Sequence, residues 1–211
     1  MKFSDLKLKV IRLLQDEDIS AETLHDAATA ALDAILPWFA LRSSVKLTGD
    51  GEKDTFTLPA DLYEIDAVML SASGETLPQA VLQPGNIRGA VHSWGDWIEF
   101  PYGSISFSKV LKTGEELTLL YRSHWPKPED LNDDDYEFST PEYTHNPIVI
   151  YAAAHALTSK ASETANIRQF STRVDSGNPE HNPIADRVDF LHRLFTTEMD
   201  RHPRQIAGAR A

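Results

Sequence analysis

Side chains able to move a proton, attack a carbonyl or hold a metal are present throughout this sequence, and their spacing decides what they can do. Eight histidines are scattered along 211 residues. His92, His124, His145, His155, His181, His192 and His202 form no His-Glu-x-x-His pair, the spacing that sets two imidazoles on one helix face around zinc. Glu198 and His202 stand one turn apart at a helix end, without the further ligands a metal site needs. Asp189 and His192 are placed i,i+3, with Asp186 one turn earlier, which is the geometry of an acid–histidine pair. No motif-placed nucleophile joins them: Ser159, Ser171 and Ser176 lie in no Gly-x-Ser-x-Gly elbow. His155 follows Tyr151 by one turn on a crowded apolar segment and reads as a hydrogen-bonded core histidine in preference to a base. Asp133, Asp134 and Asp135 have the density of a calcium loop without its ligand spacing or central glycine. Gly49, Gly51, Gly85, Gly89, Gly95 and Gly103 are turn glycines and open no phosphate-cradling loop. The expectation is a non-enzyme with no catalytic residue, no cofactor and no metal.

What remains is surface chemistry. Trp94, Trp97, Tyr102, Trp125, Tyr136, Phe138 and Tyr143 fall in turn or loop regions, and large aromatics favour interfaces because one flat side chain buries much area. Trp97 and Trp125 are also the residues expected to plug a β core. Glu129 to Glu142 holds seven carboxylates and no base, whereas Arg201 to Ala211 holds three arginines and no acid. Such an acidic stretch is expected in water or on a neighbouring copy, with Arg201, Arg204 and Arg210 as the nearest cations. The interface residues singled out are therefore Asp133, Asp134, Asp135, Tyr136, Phe138, Trp94, Arg201, Arg204 and Arg210. A formal charge of −12 argues against a surface that grips phosphates.

These residues need a scaffold, and the pattern supplies one. Cysteine is absent, which removes disulfides and thiolate chemistry together. The first residues lead into amphipathic periodicity with no signal-peptide core, so cytoplasmic folding is expected. No run approaches the roughly 20 apolar residues of a membrane helix. Phe3, Leu6, Val10, Leu13 and Leu14 predict a helix over 3–17, and Ser20 with Glu22 starts a second whose stripe runs Leu24, Ala28, Ala31, Leu32, Ile35, Phe39, ended by Pro37. From Ser43 the period becomes two: Val45 and Leu47, a Gly49-Asp50-Gly51 turn, then Phe56 and Leu58 predict a hairpin. Further strands are expected at 62–70, 76–82, 97–100, 105–107 and 116–125, with a short helix at Pro84–Ile87. Asn146-Pro147 and Asn182-Pro183 predict helix starts, giving helices over 147–160, 163–174 and 183–199. The fold class expected is α+β: a bundle of N-terminal (1–42) and C-terminal (146–200) helices, a β-rich insertion (43–125) of six or seven short strands, an acidic extended loop (126–145) and a basic tail (201–211).

In that order, the sequence resembles the head-to-tail connector adaptors of tailed bacteriophages, the portal adaptor or head-completion proteins. The likeness rests on Phe56-Thr57-Leu58-Pro59-Ala60-Asp61 leading to Val68-Met69-Leu70, on Trp97-Ile98-Glu99-Phe100 followed by Ile105-Ser106-Phe107, on Leu117-Thr118-Leu119-Leu120-Tyr121 with Pro126 after it, and on Pro147 to Ala154 preceding Ser162-Glu163-Thr164. It covers about residues 20 to 195. The resemblance implies a virion neck component made in the host cytoplasm. It implies a ring of about twelve copies, since a heterologous contact that closes gives cyclic symmetry. Portal above and tail or stopper protein below would be its partners, with DNA passing through unbound and no membrane involved. Tail-completion or tail-terminator proteins are the alternative reading. A small hydrolase around Asp189 and His192, or a monomeric binding module, are the readings from other classes. The long acidic loop at 127–144 and short tail depart from the adaptor pattern.

Overall fold

A computed structural model describes residues 1–15, 18–79, 97–100, 103–171 and 183–202. Among them the chain is α+β, with four helices and seven strands in two sheets. It divides into two compact units, Met1–Phe39 with Trp125–Gln205, and Ala40–His124.

The first unit is helical. Helix α1 (Phe3–Leu14) buries Phe3, Leu6, Val10 and Leu14 and stops at Gln15, whose left-handed φ of 53° lets its N–H reach Ile11 O, a C-terminal cap. Helix α2 (Ala21–Ala34) starts where Ser20 Oγ accepts the Thr23 N–H at 3.1 Å and ends before Pro37, which cannot extend it. Two helices expected at 147–160 and 163–174 are one, α3 (His145–Ser171). Lys160-Ala161-Ser162 offers neither glycine nor proline to break the ladder, so propagation wins over re-nucleation. Helix α4 spans Pro183–Met199, the bounds expected from Asn182-Pro183. Helix α3 packs against α1, α2 and α4.

The second unit holds a four-stranded sheet in the order β1 (Leu41–Thr48), β7 (Glu116–Ser123), β3 (Leu62–Leu70), β4 (Thr76–Leu77), and a three-stranded sheet β2 (Thr55–Thr57), β6 (Ser104–Phe107), β5 (Trp97–Phe100). All the strand pairings within these sheets are antiparallel. Leu47, Val68, Trp97, Ile105, Phe107, Leu117 and Leu119 form its core. The expected hairpin around Gly49-Asp50-Gly51 does not form: β1 pairs with β7, and β2 with β6. The turn is too long for a two-residue hairpin and is claimed instead by the 111–115 segment. Gly49 N–H donates to Glu115 O at 2.8 Å, Gly51 N–H to Leu111 O at 3.1 Å, and Gly114 N–H to Gly49 O at 3.0 Å. Trp97 does plug the β core, but Trp125 belongs to the helical unit, its indole N–H donating to Phe39 O at 2.6 Å. The Pro84–Ile87 helix, the 80–82 end of the returning strand, Trp94, Tyr102, the 172–174 end of the fourth helix, Arg204 and Arg210 lie outside the described residues.

A Cβ at Gly49 would stand 2.5 Å from both Leu111 Cβ and Lys112 O, so Gly49→Ala is expected to cost about 1–3 kcal/mol of stability through forced backbone movement. Denaturant unfolding followed by tryptophan emission and far-UV circular dichroism measures it.

Candidate functional site

The acidic segment is built on the start of α1. The first turn of any helix leaves backbone N–H groups without intrahelical acceptors, and here Asp134 and Tyr136 supply two. Phe3 N–H donates to Tyr136 O at 2.9 Å and Ser4 N–H to Asp134 O at 3.4 Å, while Phe138 N–H donates to Met1 O at 3.0 Å. Lys2 and Glu137 form an antiparallel bridge. Side chains close the same contact: Lys2 Nζ lies 2.9 Å from Asp135 Oδ1 and Lys7 Nζ 2.8 Å from Asp134 Oδ1. Lys7 Nζ also donates to Leu131 O at 2.7 Å and sits 4.2 Å from the centre of the Phe3 ring. The hydrogen bond and charge of Lys2 hold the Asp135 carboxyl below its ordinary range, and Asp135 raises Lys2 in return.

The segment's upstream anchors lie on α2. Lys127 Nζ is 2.7 Å from Asp33 Oδ2, a His25 ring nitrogen is 3.1 Å from Pro128 O, and Tyr136 O–H donates to Pro126 O. Burial pushes the Tyr136 phenol up, and the Asp133 charge adds to it.

Within the chain, two of the seven carboxylates, Asp135 and Asp134, meet cations that were not among the expected ones, Lys2 and Lys7. Arg201 instead pairs with Glu198 at 2.8 Å, one turn away. Phe138, expected at a surface, is buried in its own unit, edge-on to Tyr136 with ring centres 5.1 Å apart. The carboxylates nevertheless face water, Asp135 being 94% and Asp134 62% exposed. Sequence reasoning did not single out Lys2, the N-cap of α1, or Lys7 within it, because no local pattern shows that Asp134 folds back over 127 residues to meet Lys7.

Sequence reasoning also missed Arg122. It is 2% exposed on β7, pairs with Glu64 on β3, and lies 3.1 Å from Asp66 through Nε. Glu64 and Asp66 stand where the β3–β7 register shifts, and both reach the Arg122 guanidinium; a carboxylate pair interrupting an otherwise apolar strand is the signal that could have pointed to a buried cation.

Asp189 and His192, the acid–histidine pair considered from spacing, face different surroundings. Asp189 is exposed, and His192 turns to Tyr151, their ring centres 5.5 Å apart. His155 is not the hydrogen-bonded core histidine expected: its Nδ1 is buried without a hydrogen-bond partner among the described residues. His202 stacks on Tyr143 at 5.2 Å and meets Phe39 edge-on at 5.1 Å. Among the described residues no group of three or more His, Asp or Glu is arranged to hold a metal ion, and no helix is long and apolar enough to cross a membrane.

Two outcomes test the docking. Lys7→Met keeps the apolar stem and removes the charge, and is expected to cost about 1 kcal/mol and to speed proteolysis within 129–137, read by denaturation and limited digestion. His145, beside the end of the segment, has its Nε2 buried without a partner, and burial pushes its pKa down; the amino-terminal ammonium and Lys9 act the same way. On acidification the unfolded chain therefore takes up this proton before the folded one does. Stability is full above roughly pH 6.5 and falls as pH drops toward the lower folded pKa. His145→Asn is expected to flatten that decline in stepped-pH unfolding.

No curated protein matches this sequence. A family model described as SU10 adaptor protein matches residues 1–179, which takes in α1, α2, every described strand, the acidic segment and α3. The chain thus belongs to the SU10 adaptor protein family, in agreement with the phage head-to-tail adaptors that its strand and helix motifs resemble.

Proposed function

We propose that the protein is the structural adaptor of a phage neck, a ring of about twelve copies that joins the portal to a tail or stopper component and leaves a channel for DNA. The observation that carries this is the family match over residues 1–179. In this reading the helical unit forms the wall of the ring and the β unit is a subdomain inserted between its halves. The 126–145 segment and the 201–211 tail are its contact elements. Synthesis in the host cytoplasm and residence in the virion neck follow from the same role.

The charge supports a passage that does not hold DNA. A net charge of −12 disfavours the counterion-releasing contacts that give non-specific affinity. The same charge opposes assembly, because every pair of copies repels. The free protein is accordingly expected as a monomer or small oligomer at low salt, with the ring completed on the portal.

Native mass measurement across salt concentration, with and without the portal ring of the same phage, tests this. The expected result is a portal-dependent cyclic complex with an open axis, visible on imaging. An isologous dimer that persists on adding portal would overturn the reading.

A further inference from the structure

Helix α4 carries its own exposed anchor. Leu191, Phe195 and Met199 turn inward and are buried, whereas Phe190 is 62% exposed, on the opposite side of the helix by its 100° per residue spacing. One turn to either side of it stand Arg187 and Arg193, both exposed. Arg187 is fixed, one guanidinium nitrogen donating to Leu13 O at 2.6 Å. Arg193 meets no carboxylate among the described residues. Asp186, in the first turn of α4, is the acidic member of this face. A phenyl ring left in water between guanidinium groups is the composition of an interface anchor.

The acidic segment has the inverse pattern. Leu131 is 37% exposed and is flanked by Asp130 and Asp133, neither of which is ion-paired among the described residues. Lys7 holds this stretch by the Leu131 carbonyl, so its place on the unit is set. Leu131 and Phe190 are both exposed in the single chain, so neither covers the other there.

We propose that the α4 face centred on Phe190 receives the Asp130–Asp133 segment of a second copy, Phe190 against Leu131 and Arg187 and Arg193 against Asp130 and Asp133. The contact joins two different surfaces, so it is heterologous and propagates until it closes. It rests on the ring reading above and names the elements that meet in it. The occupant is a copy of this chain because its segment offers the matching apolar centre with charges of opposite sign on both flanks.

The chain has no cysteine, which makes directed crosslinking clean. Leu131→Cys/Phe190→Cys double variants, oxidised on the portal ring, are expected to give a ladder of covalent multimers. Mixed single variants are expected to stop at dimers, and Phe190→Cys alone to give none. As a second readout, Asp133→Arg and Arg193→Asp are each expected to weaken assembly about threefold to tenfold, and the combined variant to recover it. Arg193 is exposed and Asp133 half-buried, and far-UV circular dichroism checks the fold of each variant. A ring seen by native mass with no ladder overturns this contact and leaves the ring reading standing. Dimers from Phe190→Cys alone overturn it in favour of an isologous face. Failure of the unmodified chain to assemble on the portal removes both.

Discussion

A helix in which Ile148, Val149, Ile150, Ala152, Ala153 and Ala154 are all buried presents apolar surface on every side and cannot stand in water alone. The helical unit is organised by the need to cover α3. Segments from both ends of the chain do so: α1 and α2 from before the β-rich stretch, α4 from after it. Small side chains make close approach possible, with Ala27, Ala28 and Ala31 of α2 buried as Ala152, Ala153, Ala154 and Ala156 of α3 are. Larger rings fill the remaining space, as where Phe195 of α4 meets Tyr151 at 4.9 Å and Trp38 at 6.1 Å. Because the covering helices are distant in sequence, the chain must leave at Phe39 and return at Trp125. The Trp125 indole hydrogen bond to the Phe39 carbonyl pins those two points together.

The acidic segment answers a different constraint. The start of α1 needs acceptors for its free N–H groups, and a helix N-terminus favours negative charge. The segment meets the first need with backbone carbonyls, from Tyr136 and Asp134, and leaves its carboxylates pointing outward. Folding therefore draws mainly on its main chain, while most of its side-chain charge stays available in water. Lys2 and Lys7 are the exceptions that fix its position, and Phe138 is the buried peg that holds its downstream end.

What the sequence made legible were the features with local causes. Ser20 as a cap, Pro37 as a stop and Asn182-Pro183 as a start depend on a few neighbouring residues, and they are where the structure has them. The hairpins of 62–77 and 97–107 likewise close over short turns. Features with distant causes were not readable. Whether Val45 pairs with the strand that follows or with Leu119, 74 residues on, turns on what the 111–115 segment offers Gly49. Trp125 has the same composition context as a β-core tryptophan, and only the carbonyl of Phe39 decides otherwise. Within the candidate site, the charge of 129–142 was evident from composition, but its cations lie in α1. Pairing across such a separation leaves no periodic trace.

Charge enters this molecule in two physical regimes. Arg122, almost fully buried between Glu64 and Asp66, is desolvated, so removing one of its partners would strand a charge in a poor medium. Glu129, Asp130, Asp134, Asp135 and the arginines of α4 are exposed, and Asp133 is half-buried. Ion pairs between such groups are worth about 0–1 kcal/mol each and weaken with salt. They cannot by themselves hold copies together against the repulsion of chains at −12. In the proposed ring, apolar contact has to supply the attraction, and Phe190 and Leu131 are exposed apolar side chains set among those charges. The division of labour that follows is general: the apolar centres provide adhesion, while the flanking charges penalise contact between two like faces and set the register of unlike ones. A surface built that way favours head-to-tail association over self-pairing, which is the condition a closed ring requires.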